Sequence, residues 1–416
     1  MRDKDYEVIK MRLTGKLPVD YQKTMKTHPS LAAPKFDFNS RSLNPIKKMG
    51  RNERCWCNSG RKFKNCHLNR ESQKKQSPFE HEQAMFSELR KGYCAYPASL
   101  SRDPCSDTII KAHTIQKAGG LAAIAESNHV LTVKPVMSEL IKTKGNPQPR
   151  KIGVKLASVF PGFCSKHDND LFEPIEGKTL NFTKESAFLF SYRAVAYERF
   201  AKEAQQRFML SLREADAGMP FQKQAALQQF IQGNLFGIEI GMRDVQKWKA
   251  QFDEKLLSSS TDQFHFAAVR FDRILPIVAC GAFHPEFDCT GLPLQKLGQD
   301  RVELDQIALT VTTFDSQTVV VFGWIGNQEG PARSLVNSFL AIEDSRKADA
   351  LVRLLFIHTD NLFLRPSWWE GLPESSQKAL NDMSRSGTVE RQRTGKEYAN
   401  DALKLISANT VEQVSG

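Results

Sequence analysis

Three thiols and an imidazole fall within thirteen residues near the front of a 416-residue chain: Cys55, Cys57, Cys66 and His67, in the stretch MGRNERCWCNSGRKFKNCHLNR (Met49–Arg70). Thiolate sulfur and neutral imidazole nitrogen are the donors that closed, tetrahedral zinc sites use, and Ser59-Gly60 supplies a turn between the two halves of the set. A segment this short buries too little apolar surface to fold unaided. Metal would make up the deficit, because in such knuckles binding free energy of roughly 10–16 kcal/mol is folding free energy. Four reduced, unligated side chains are the alternative.

At these residues the chain resembles the SEC-C motif, a zinc knuckle also found at the C-terminal tail of the SecA translocation motor. The pattern is carried by Gly50, Arg51, Asn52, Cys55, Cys57, Ser59, Gly60, Lys62, Phe63, Lys64, Cys66 and His67. The resemblance implies one Zn²⁺ held by Cys55, Cys57, Cys66 and His67. It departs from the family at Trp56, where Pro is usual, and this places an aromatic on the expected knuckle surface.

A second ligand set is more dispersed. Cys94 and Cys105 are followed by Cys164 and His167 in FCSKHD, another Cys3His combination for a second Zn²⁺, with turn residues between the first two cysteines. Ordinary buried thiols are the plainer reading. Asp168 and Asp170 beside His167 would serve as acceptors for its second ring nitrogen.

This region also resembles, loosely, a zinc-bound ββα-metal unit of the HNH type. The resemblance implies His113 as general base, Asn128 as its orienting residue and Gly119-Gly120 at the family's glycine pair. Asp168 would then be a ligand of a catalytic Mg²⁺, while Cys164 and His167 hold zinc. The chain departs from that family at Ala112, at Asp168 and in the length between Asn128 and Cys164. A structural histidine is the plainer reading of His113.

The net charge is +11, and it is localised. Residues 1–93 hold 21 Lys and Arg against 10 Asp and Glu, whereas residues 94–416 hold 37 of each. Lys47, Lys48, Arg51, Arg54, Arg61, Lys62 and Lys64 surround the knuckle and form the expected nucleic-acid-binding patch. Such a patch attracts RNA, DNA, a ribosomal surface or an acidic protein face, and a solvated linker is the alternative. Eight cysteines and a charged start without an apolar stretch predict a reducing cytoplasm, and no run is long enough to span a membrane. Phosphate-loop, dinucleotide, serine-hydrolase and HExxH motifs do not occur.

The elements that must position these groups read as an α+β multidomain chain. A flexible arm over 1–45, with a short amphipathic stretch at Tyr6–Leu13, leads into the SEC-C knuckle at 46–72. A second zinc-stapled, HNH-like domain is expected over 80–182, opening with a helix at His81–Lys91. Residues 183–260 form a helical segment broken at Gly218-Met219-Pro220, with a further weak point at Gly233. The part from 261 to 416 is expected to be a mostly antiparallel α+β domain. Its strands are Phe264–Ala268, Ile274–Phe283, Ile307–Phe314 and Thr318–Ile325, and a hairpin turn lies at Asp315-Ser316-Gln317. Helices are expected at Pro331–Asn337, Ser345–His358 and through most of Ser375–Ile406, ahead of a frayed tail. Cys280 reads as a core thiol and Trp368-Trp369 as a packed corner.

Overall fold

The computed structural model describes residues 43–97, 103–106, 108–134, 143, 146, 148–177, 179–180, 182–297, 303–326, 329–387 and 392–416. The arm, apart from residues 43–45, lies outside the described residues. In chain order the elements are α1 (Pro78–Arg90), β1 (Ile109–His113), β2 (His129–Thr132), β3 (Arg150–Gly153), β4 (Val159–Cys164), α2 (Ser165–Phe172), α3 (Lys184–Ser211) and α4 (Phe221–Ser258). There follow β5 (Phe264–Phe271), β6 (Ile277–Phe283), β7 (Ile307–Phe314), β8 (Gln317–Ile325), α5 (Pro331–Leu340), α6 (Asp344–His358), β9 (Leu362–Leu364), α7 (Pro366–Glu370), α8 (Glu374–Ser384), α9 (Gly395–Tyr398) and β10 (Thr410–Ser415). No helix among the described residues is long and apolar enough to cross a membrane.

These residues gather into two compact units. One holds the described residues up to Lys91 with Arg199–Lys247; the other holds Gly92–Pro97, the described part of Asp103–Glu198, and Trp248–Gly416.

In the first unit, α1 begins at Ser77, whose hydroxyl accepts from the Glu80 amide while the Glu80 carboxylate accepts from the Ser77 amide. That reciprocal cap satisfies two otherwise orphaned donors. The break between α3 and α4 falls where the sequence puts it. Leu212–Asp216 tightens into a 3-10 turn, Gly218 adopts φ +71°, and Pro220 precedes α4. A side chain at Gly218 would meet the Gln73 carbonyl at 2.5 Å, so both conformation and space require glycine there. The weak point at Gly233 is not a break: α4 runs through it unbroken for 38 residues. Tertiary burial of Ile231, Leu235 and Ile238 outweighs the roughly 1 kcal/mol helix penalty of glycine.

The second unit is built on an eight-stranded sheet in the order β10-β5-β8-β7-β6-β9-β2-β3, with every adjacent pair antiparallel. The hairpin between β7 and β8 closes with Phe314 opposite Gln317 and both Asp315 and Ser316 at positive φ, the two-residue turn that matches strand twist. Alternation sorts β5 by face. Ala267, Val269 and Phe271 enter the core shared with Leu335, Phe339 and Leu351 of α5 and α6, whereas Phe264 packs on Phe188 and Phe252. The sheet is therefore covered on both sides, which is why its central strands read as nearly continuous apolar runs.

Three features differ from expectation. Strands β2 and β3, from the 80–182 stretch, are paired into this sheet beside β9. The tail is not frayed: Thr410–Ser415 pairs with β5 from Phe271 to Ala267. Ser375–Ile406 is helical only over Glu374–Ser384 and Gly395–Tyr398 among its described residues. Cys280 is fully buried and Trp369 packs on Phe356, as the sequence suggests.

Candidate metal centres

The knuckle folds around its four donors. Asn58 and Gly60 take positive φ and fold the two halves together, bringing the His67 Nδ1 atom within 3.2 Å of both Cys55 Sγ and Cys66 Sγ. Cys57 Sγ lies 3.5 Å from Cys66 Sγ. All four residues are buried, and the donor atoms lie within 4.8 Å of one another, so the group could hold a metal ion. Trp56 is not on the surface: it is 6% exposed, packs against the His67 ring at a tilt with the ring centres 4.4 Å apart, and meets Phe221 edge-on. With Phe63, Leu43 and the partly buried Phe221 and Ala225, it gives the knuckle an apolar core that its own length could not provide.

Around the ligands stands a buried polar network that no local sequence pattern signals. Asp216, in the turn between α3 and α4, directs Oδ2 at His67 Nε2 (2.8 Å) and accepts from Gln228 (2.7 Å); its Oδ1 accepts from Arg70 Nε (2.7 Å). Arg213 donates to the Cys57 carbonyl at 2.6 Å, and Arg70 donates to the Arg213 carbonyl at 3.1 Å. Burial works against a charged His67 ring, but Asp216 with the Cys57 and Cys66 sulfurs outweighs it and holds the imidazole up to about 11. Hydrogen bonds from Cys57 and Cys66, with burial, push the Cys55 thiol far above its ordinary range. Several thiolates cannot share this pocket without a cation, which a bound metal ion would supply.

The second group joins Cys94, Cys105, Cys164 and His167, also with donor atoms within 4.8 Å. Tyr93 and Ala95 donate to the Pro161 and Gly162 carbonyls, laying the Cys94 segment along β4. Cys164 closes β4 and caps α2, and His167 sits one turn into that helix. His167 Nδ1 lies 3.2 Å from Cys164 Sγ and 3.5 Å from Cys94 Sγ, and Tyr96 stacks on the ring at 3.9 Å. Burial raises the Cys164 thiol, but the His167 amide and Ser106 lower it further, to about 6, while burial pushes Cys94 up to about 12. Buried Lys249 pairs with Asp253 and donates to Tyr192 (2.9 Å) and to the Ala95 carbonyl (2.9 Å), fastening the Cys94 segment. The carboxylate at His167 Nε2 is Asp103 at 3.3 Å, where Asp168 and Asp170 were expected. Asp168 instead shares its surroundings with Arg193 and Glu176.

The residues assigned by the HNH resemblance are dispersed around this group. His113 ends β1, half-buried, with Nε2 unpartnered among the described residues. Burial, Lys117 and Arg193 depress its pKa below the usual imidazole range. Asn128 is exposed at positive φ, and its carbonyl accepts from Val154 at 3.0 Å. Neither His113 nor Asp168 belongs to a group of donors close enough for a metal; among the described residues only the two Cys3His groups do, and Cys280 and Cys289 fall outside them.

The basic residues divide. Lys47 pairs with Glu71 (3.3 Å), Arg61 with Glu214, and Arg54 donates to the Gly60 carbonyl. Lys48, Arg51, Lys62 and Lys64 are exposed, and none makes a salt bridge to a described carboxylate.

Residues 51–69 match the SEC-C motif, a zinc-binding motif. No curated protein and no solved structure matches the chain.

Proposed function

We propose that this is a zinc-stabilised binding protein whose knuckle presents Lys48, Arg51, Arg54, Lys62 and Lys64 to the phosphates of a nucleic acid, RNA of a ribosomal surface being the favoured case. The supporting observation is the division of the basic residues: those needed to hold the knuckle are neutralised by Glu71, Glu214 and Asp216, while the others face solvent beside a fixed turn. Such contacts position a backbone without reading its sequence. Zinc fits the donors. Bonds of about 2.0–2.3 Å in a tetrahedron put donor atoms about 3.5–3.8 Å apart; several donor pairs here are 3.2–3.5 Å apart, and all donors of each group lie within 4.8 Å of one another. In both, zinc would supply a rigid cross-link and charge neutralisation.

The test is binding of labelled RNA and DNA against salt. Affinity should fall with a log–log slope of roughly −0.7 to −0.9 per phosphate contacted, and Lys62→Glu with Lys64→Glu should weaken it at least tenfold with zinc content unchanged. A salt-independent affinity, or one indifferent to both reversals, overturns this reading. Nuclease-resistant capture of an acidic protein would favour the adaptor role implied by the SecA resemblance.

A second reading rests on another observation. Strands β1 and β4 pair antiparallel, β4 runs into α2, and His113 and Asp168 both lie within the electrostatic reach of Arg193 and Glu176. The two paired strands followed by a helix resemble the ββα order of an HNH-type nuclease, in which Asp168 would help hold Mg²⁺ and His113 would accept a proton from water. It requires Mg²⁺-dependent cleavage that disappears in His113→Ala while zinc content is kept. Absence of cleavage across nucleic-acid substrates by wild-type protein removes it.

A further inference from the structure

Asp216 stands 149 residues from His67 and is fully buried, yet both of its oxygens are committed at the knuckle. Oδ2 faces His67 Nε2 at 2.8 Å, while His67 Nδ1 faces the sulfurs of Cys55 and Cys66 at 3.2 Å each. An imidazole held in this way has one tautomer available: the proton stays on Nε2 toward the carboxylate, and the Nδ1 lone pair points at the sulfurs.

The carboxylate is itself immobilised. Arg70 Nε and Gln228 Nε2 both donate to it at 2.7 Å, and Arg70 is fixed through the Arg213 carbonyl and Glu214. Trp56 packs against the ring, so the imidazole cannot swing to present Nε2 instead. We infer that Asp216 is a positioning residue for the knuckle's metal: it fixes His67 as an Nδ1 ligand and raises the affinity of the Cys55, Cys57, Cys66 and His67 set. The inference rests on the reading of those four residues as metal ligands. It places part of the site's strength in the turn between α3 and α4, outside the residues that match the motif.

The experiment uses the full chain, stripped and reloaded with Zn²⁺ alone, in competition with a chromophoric chelator. Asp216→Asn should weaken the knuckle's zinc affinity about ten- to a hundredfold. In a His67→Cys background, where no imidazole remains to be held, the same change should have little effect. An equal loss in both backgrounds would make Asp216 a scaffold residue and overturn the inference, as would an unchanged affinity in the single variant. Nitrogen-15 spectra of the wild-type imidazole test it without any substitution. Metallated Nδ1 with protonated Nε2 supports it, and the reverse assignment refutes it. Wild-type protein that takes up no zinc at the knuckle would overturn the ligand reading itself, a failure distinct from the others.

Discussion

The two Cys3His groups use the same donors but are closed by different lengths of chain. In the knuckle Cys55 and His67 are 12 residues apart; in the other group Cys94 and His167 are 73 apart. The knuckle's ligands are all buried, and its histidine leans on a carboxylate with no exposure. In the second group Cys105 is exposed, Cys94 is half-buried, and the carboxylate at His167 is 36% exposed. Each group is nonetheless pinned by a buried cation that reaches a backbone carbonyl at or beside a ligand: Arg213 on Cys57, Lys249 on Ala95. The knuckle is thus a short loop made rigid by its neighbours. The second group is a tertiary cross-link gathering Cys94, Cys105 and the β4–α2 junction.

The largest effects should come from removing a ligand. Cys66→Ser and Cys164→Ser are each expected to cost one metal ion per chain and several kcal/mol of stability. Loop closure separates them: tying residues 73 apart restrains the unfolded chain by about 1.6 kcal/mol more than tying residues 12 apart. Cys164→Ser should therefore be the more destabilising in denaturant unfolding followed with metal counting. The opposite order would mean that local burial, not loop length, governs the difference.

Next in size is Lys249→Met. It removes the cation from the buried Asp253 carboxylate and leaves that carboxylate and the Ala95 carbonyl to share the Tyr192 hydroxyl, at a cost of about 3–5 kcal/mol. Chelator challenge should then extract the second group's metal faster while the knuckle's is retained. Equal extraction from both would break the assignment of Lys249 to the second group alone.

What was legible in the sequence follows the same division. Cys55, Cys57, Cys66 and His67 could be read directly because their chemistry lies within one turn-linked segment. The Gly218-Met219-Pro220 break and the Asp315-Ser316 turn could be read because backbone conformation there is set by local residue types. Asp216 could not, since an acidic residue in a helix-rich stretch is ordinary until folding brings it to His67. Nor could β10: its exposed Glu412 and Gln413 lack the apolar alternation of a strand, and it is held through backbone pairing to β5. The Trp56 expectation failed for a related reason, because the surface it covers belongs to α4.

The smallest effect is the sharpest test of the comparison. Asp103 approaches His67's counterpart, His167, at 3.3 Å, is partly solvated, and also pairs with Lys166. Lys166 first, and His167 after it, hold its carboxyl below the usual range, but water competes for both contacts and screens them. Tyr96, stacked on the ring, restrains His167 without a carboxylate. Asp103→Asn should therefore lower zinc affinity at the second group by no more than about threefold, against the ten- to hundredfold expected for Asp216→Asn at the knuckle. Measured by the same chelator competition, the ratio of the two losses tests whether burial of the carboxylate sets how firmly a histidine ligand is held. Equal losses would show that contact with the ring is sufficient and that the depth of Asp216 adds nothing.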